Sequence, residues 1–391
     1  MKIYGYCHPS FEPVRGVFLR NFEERGEVGA SVCLKRQGET LVDLWGGVRD
    51  AAKQVLWEKD TQTLVFSATK GAAALTVHLL IDRGVLKLDK PVAFYWPLFA
   101  HNGKQDILVR FLLTHSAGLP CFQNPVEEDK LLSDPDYIAR CLEQESPYWK
   151  PGTVHGYHAL TFGWLLGELV RRVSGMTLGL FFKTQIADPL NLPFFIGAPA
   201  DQDLYFAPIK APKITLGKTP SPFQQMLAQQ GSLTHRAFAN PKSFLNLRTF
   251  NEVCFRRLEL PSLNGISNAR GLAGLYELLS LGGEVSGKRL LSLKSVESMG
   301  RLEREGMDRI LGIHTRFSQG FMKSLGHTEE GDLWMGPNDE AFGHVGAGGS
   351  IGFADPKNGV SFGYVMNQLG NGLLLSERGN ALIRAAYACL E

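Results

Sequence analysis

Strand-forming runs stand at the two ends of this chain, while the stretch between them is mostly helical in pattern. Such a chain builds one antiparallel sheet by bringing its termini together, with the middle inserted as a separate block. Residues 28–47 read as a hairpin: Val28–Leu34, a turn over Lys35–Glu39, and a return over Thr40–Trp45, with β-branched and aromatic residues on both arms. Near the other end, Ser350–Ala354 and Val360–Met366 flank Asp355-Pro356-Lys357-Asn358-Gly359, whose residues favour a turn. A last helix from about Ser376 places Leu382, Ile383, Ala386, Tyr387 and Leu390 on one face. The expected architecture is α+β in three α/β/α layers. Residues 1–90 and 290–391 form the sheet domain, and residues 91–289 an inserted, mostly helical domain.

Two further helices are legible. From Ser67 to Arg83 the residues are helix formers, apolar on most sides, with Gly84 as a stop, which predicts a buried helix. Leu166, Leu169, Val170 and Val173 follow the helical spacing, Arg171 and Arg172 occupy the last turn, and Gly175 closes it. Residues 271–282 also look helical. Residues 197–222 hold five prolines and little periodicity, a long irregular segment of the kind that serves as a lid or as a plain surface excursion.

Composition removes several function classes. Lys+Arg 41 against Asp+Glu 39 leaves a formal charge of +2, so the dense basic patch that nucleic acid or an anionic membrane would need is missing. No stretch approaches the ~20 apolar residues of a membrane span, and the first residues lack the apolar core of a secretory signal. The six cysteines are scattered without a C-x-x-C pair, which argues against a zinc site or a disulfide framework. A cytoplasmic protein with no metal and no cofactor is the expectation, its partner a small molecule; the oligomeric state is left open.

Three segments can carry chemistry. In Ser67-Ala68-Thr69-Lys70 a hydroxyl and an amine share one face, one turn apart, at the mouth of the buried helix. Desolvation lowers a lysine pKa, so a neutral amine there could take the hydroxyl proton. About one S-x-x-K is expected by chance in such a chain, yet this is the only one and it opens a buried helix after a strand. The second segment is Gly156-Tyr157-His158-Ala159, which follows a Pro-Gly turn and puts Tyr157 at or near the start of the 160–173 helix. A cationic neighbour would favour its phenolate; alone, it would be an ordinary tyrosine covering a helix end. The third is Gly343-His344-Val345-Gly346-Ala347-Gly348-Gly349-Ser350. Its glycines admit close approach to the backbone, and an edge strand with free N–H groups supplies half of an oxyanion hole. The remaining histidines are scattered and expected to be structural or exposed. Gly348-Gly349-Ser350-Ile351-Gly352 also matches the nucleophile elbow G-x-S-x-G, but no histidine follows Ser350 and a strand, not a helix, is expected after it.

The order Ser67-x-x-Lys70, Tyr157, then a Gly-rich His344-Val345-Gly346 strand resembles the serine β-lactamase/penicillin-binding superfamily, in its class C-like branch with the family VIII carboxylesterases. Leu112-Leu113-Thr114-His115-Ser116-Ala117-Gly118-Leu119-Pro120 and Gly352-Phe353-x-Asp355-Pro356 agree with it. The resemblance covers about residues 20–390 and is weakest over 195–250. It implies Ser67 as acylated nucleophile, Lys70 and Tyr157 as shared base, and the N–H groups of Ser67 and Ala347 as oxyanion hole. His344, Val345, Gly346 and Gly348 would then face the substrate. Two departures stand out. Ala159 replaces the asparagine of Y-x-N and offers no hydrogen bond in its place. His344 replaces the lysine of K-T-G, so an anionic antibiotic loses a charge partner worth about 1.5–3 kcal/mol. Both departures point toward hydrolysis of neutral esters, and short to medium acyl chains are the expectation. β-Lactam or D-amino-acid peptidase chemistry, acyl transfer to an alcohol and a non-catalytic scaffold are the alternatives.

Overall fold

The computed structural model describes residues 1–50, 52–213, 220–328 and 331–390. Three strands come from the N-terminal end: β1 (Ile3–Cys7), β2 (Gly29–Arg36) and β3 (Glu39–Asp50). Six come from the C-terminal end: β4 (Arg304–Met307), β5 (His314–Phe317), β6 (Met322–Lys323), β7 (Phe342–Val345), β8 (Ile351–Asp355) and β9 (Val360–Met366). They pair in the order β1-β3-β2-β9-β8-β7-β6-β5-β4, all antiparallel, and the short run Val55–Leu56 adds to β3. The two ends of the chain meet where β2 pairs with β9, from Arg36↔Val360 to Ala30↔Met366. Both hairpins expected from the sequence form, β2–β3 and β8–β9.

Helices cover both faces, so β8 and β9 are buried at every position rather than at alternate ones. On one face lies α4 (Ala269–Ser280). Its close approach needs glycine in the sheet: a Cβ at Gly363 would stand 2.2 Å from the Ala269 carbonyl oxygen, and one at Gly352 2.5 Å from the Tyr276 ring. The next residue, Tyr364, therefore points to the other face, where its hydroxyl donates to the Glu27 carboxylate. Glu27 is in turn paired with Arg378 at 2.7 Å, tying α1 (Glu12–Glu24) to α5 (Glu377–Ala388). The architecture is thus α+β in three layers. The helix expected over 271–282 starts two residues earlier and lies on the sheet, although the sequence division placed it within the inserted block.

The helix predicted from Ser67 is α2 (Thr69–Asp82), buried along nearly its whole length. It packs on α3 (Thr161–Ser174), which ends at Gly175 in the left-handed conformation. Of the irregular segment 197–222, Ala200–Tyr205 is a short 3-10 helix, and residues 214–219 lie outside the described residues. No helix among the described residues is long and apolar enough to cross a membrane.

Candidate active site

Ser67 sits not in the first turn of α2 but in a 3-10 turn, Phe66–Ala68, that leads into it. The turn hangs on a small sheet: Thr63–Leu64 pairs with Ile266–Ser267, and the Val65 N–H donates to the Gly265 carbonyl at 2.9 Å. Lys70 follows one turn on. Its side chain is completely buried and Nζ lies 3.3 Å from Ser67 Oγ. Nζ donates to two main-chain carbonyls, Ala159 at 2.8 Å and Ser262 at 2.9 Å. No carboxylate forms an ion pair with it among the described residues, and burial alone holds its pKa well below the ordinary lysine range.

Ala159 thus contributes where the sequence suggested a loss. Its side chain offers no hydrogen bond, but its carbonyl holds Lys70. The second carbonyl, from Ser262, was not foreseen. Its loop approaches through Gly163, where a Cβ would lie 2.4 Å from Ser262 N. A helix-interior glycine in α3 is the trace of this contact that the sequence contains.

Tyr157 lies in an irregular segment before α3, not on the helix. Its ring faces Lys70, whose Nζ is 4.7 Å from the ring centroid. Burial raises the phenol pKa above its ordinary value, with a side-chain hydrogen bond to Ser67 pulling the other way. The phenolate expected from a cationic neighbour is therefore disfavoured, because burial penalises its charge. Asp308, another residue the sequence did not mark, anchors the Tyr157 backbone. One buried carboxylate oxygen, Oδ1, accepts from Tyr157 N–H at 3.0 Å and from the Ile310 and Leu311 N–H groups at 2.8 Å each.

The glycine-rich segment reaches Ser67 from the sheet. β7 is an interior strand between β6 and β8, not an edge, but β6 pairs only as far as Gly343. The end of β7 runs on past it to the Ser67 turn. A Cβ at Gly346 would stand 2.1 Å from the Val65 carbonyl oxygen, so that position admits only glycine. Ser350 Oγ donates to the same carbonyl at 2.8 Å, which gives the serine of the elbow-like motif a structural bond, and β8 follows it. Ala347 is exposed, and neither its N–H nor that of Ser67 donates to another group among the described residues. Val345 is buried, while Gly348 turns the chain at φ +82° against Leu369.

His115, expected among the scattered histidines, joins His158 and His344 here, with His155 in the same segment as Tyr157. The His115 ring lies 4.9 Å from that of Tyr157 and 5.6 Å from that of His158, and His344 stands 6.1 Å from Tyr157. His155 bonds Thr315 Oγ1 at 2.8 Å. His115 Nδ1 accepts the His158 N–H, and His158 Nε2 accepts the Leu119 N–H, so both rings carry one proton. Burial pushes His158 down to about 4 and, with Lys70 nearby, His344 down to about 3. His115 is also driven well below its ordinary value, first by burial and then by His158. At neutral pH these three rings are uncharged. No group of three or more metal-ligating side chains occurs among the described residues.

The Beta-lactamase family profile matches residues 18–386. The chain belongs to the beta-lactamase family. This family member is 34% identical to the esterase/beta-lactamase LipL of Mycobacterium tuberculosis, over 99% of this chain and 89% of that protein. It superposes on a family VIII carboxylesterase with a TM-score of 0.89 and 37% identity, over the whole of both chains. A penicillin-binding protein homologue from Caulobacter crescentus gives 0.88 and 36%, again over both chains in full. The beta-lactamase relationship agrees with the three-layer fold.

Proposed function

We propose that this protein is a serine carboxylesterase acting on neutral esters of short to medium acyl chain through an acyl-enzyme on Ser67. The carrying observation is the buried amine of Lys70, 3.3 Å from Ser67 Oγ, with its two N–H groups spent on the carbonyls of Ala159 and Ser262. A neutral amine has one lone pair left, and Ser67 is the group beside it.

Lys70 takes the Ser67 proton as Oγ bonds to the acyl carbon. The N–H groups of Ser67 and Ala347 stabilise the oxyanion. The C–O bond to the alcohol then breaks, and the departing alkoxide takes the Tyr157 phenolic proton, which the Lys70 ammonium replaces. Water repeats the sequence in reverse and releases the acid. The uncharged His344 at the lysine position of K-T-G supports a neutral substrate over an anionic one. The similarity to a family VIII carboxylesterase supports the same class. A lactam side activity is a second reading, favoured by the name of the M. tuberculosis relative, which joins both activities.

The test is kcat/KM for p-nitrophenyl esters of increasing chain length beside one cephalosporin, with Ser67→Ala as control. Ester turnover that is lost in Ser67→Ala supports the proposal. Turnover that survives it removes the nucleophile assignment, and no turnover of any ester or lactam leaves a scaffold.

A further inference from the structure

The residue before the nucleophile is strained. Phe66 has φ +47°, in the left-handed region that side chains with a Cβ rarely adopt. Such a conformation persists where the surroundings impose it, and here they are aromatic. The buried Phe66 ring meets Phe250 edge-on, at 5.3 Å between centroids and 80° between planes. Phe250 in turn packs on Phe255 at 4.9 Å and on Phe244 at 6.1 Å.

This cluster is itself anchored. Asn251, next to Phe250, exchanges two hydrogen bonds with the Ile209 backbone, at 2.9 and 3.0 Å. Asn264 donates to the Phe255 carbonyl at 2.9 Å. Asn264 belongs to the loop whose Ser262 carbonyl holds Lys70, and Gly265 in the same loop donates its N–H to Thr69 Oγ1 at 2.8 Å. One loop therefore ties the aromatic cluster, the lysine and the turn between them.

We infer that Phe250 is a positioning residue for Ser67: by seating the Phe66 ring it holds the strained turn that aims Oγ at Lys70. The inference rests on the reading of Ser67 as nucleophile. It assigns a task in acylation to the stretch around residue 250, where the family pattern is weakest.

The experiment is a double-mutant cycle read as the single-turnover rate of acyl-adduct formation, with the adduct mapped by mass spectrometry and KM measured alongside. Phe250→Ala should lower the acylation rate at least about tenfold, with KM within about threefold, because orientation rather than binding is lost. In a Phe66→Gly background the same substitution should cost less than about threefold, since glycine takes φ +47° without strain and has no ring to seat. Equal losses in the two backgrounds, or an unchanged rate in Phe250→Ala, would overturn the inference. If Phe250→Ala does not fold, Phe250→Leu is read in both backgrounds by the same criteria. An adduct on a residue other than Ser67 removes the proposed function itself; an adduct on Ser67 with additive losses removes this inference alone.

Discussion

Lys70 stands 3.3 Å from Ser67 across one turn of chain, fully buried and without an ion-pair partner among the described residues. Desolvation alone holds its pKa well below the ordinary lysine range. On the function proposed above, such a lysine serves as the base for the neighbouring Ser67 hydroxyl.

Lys70→Met keeps the length and apolar bulk of the side chain and removes the base. Acylation should fall by on the order of 10²–10⁴-fold, the usual contribution of general-base catalysis. The stoichiometric acyl adduct should be missing on the wild-type time scale, while far-UV circular dichroism is unchanged. An adduct forming at the wild-type rate would assign the base elsewhere.

The pH profile follows from the two directions of shift. Burial lowers the Lys70 pKa, so the amine loses its proton below the ordinary lysine range, and kcat/KM should fall as acid protonates it. Burial raises the Tyr157 pKa, so the phenol keeps its proton as the pH rises. The profile should climb to a plateau and stay flat beyond about pH 9, with no alkaline limb below the ordinary tyrosine range. A bell with a descending limb near neutrality would contradict the protonated phenol.

Asp308 separates position from charge. Asp308→Asn retains an oxygen for the N–H groups of Tyr157, Ile310 and Leu311, so activity should stay within about tenfold of wild type. Asp308→Ala leaves those buried donors unpaired, at a cost of at least about 1.5–3 kcal/mol, and lets Tyr157 shift. Chemical denaturation and kcat together should rank the variants wild type, Asn, Ala. Equal loss in both would make the charge, not the anchoring, decisive.

Gly346→Ala tests the close approach of β7 to the Ser67 turn. The new Cβ would meet the Val65 carbonyl oxygen at 2.1 Å, and backbone must yield. The Ala347 N–H would move away from the acyl carbon, lowering kcat/KM by on the order of 10²-fold, as a displacement of about 1 Å does. A variant with wild-type kcat and an unchanged melting temperature would show that the strand end has room.

The termini, the hairpins, the buried helix after Ser67 and the order of Ser67, Lys70 and Tyr157 were all legible in the chain itself. Each depends on local pattern: alternating or continuous apolar runs, turn residues, and a hydroxyl and an amine three residues apart. The contacts that tune those residues were not legible. The carbonyls of Ala159 and Ser262 that hold Lys70 belong to every residue type alike, so nothing in the side-chain alphabet marks them. The anchoring of Tyr157 by Asp308 spans 151 residues, and the seating of Phe66 on Phe250 spans 184. His115 looked unrelated to Tyr157 because only folding brings it, and His344, to the one phenol ring. Sequence alone determined which groups could react. Tertiary structure decided their protonation, because a pKa depends on the water that packing removes.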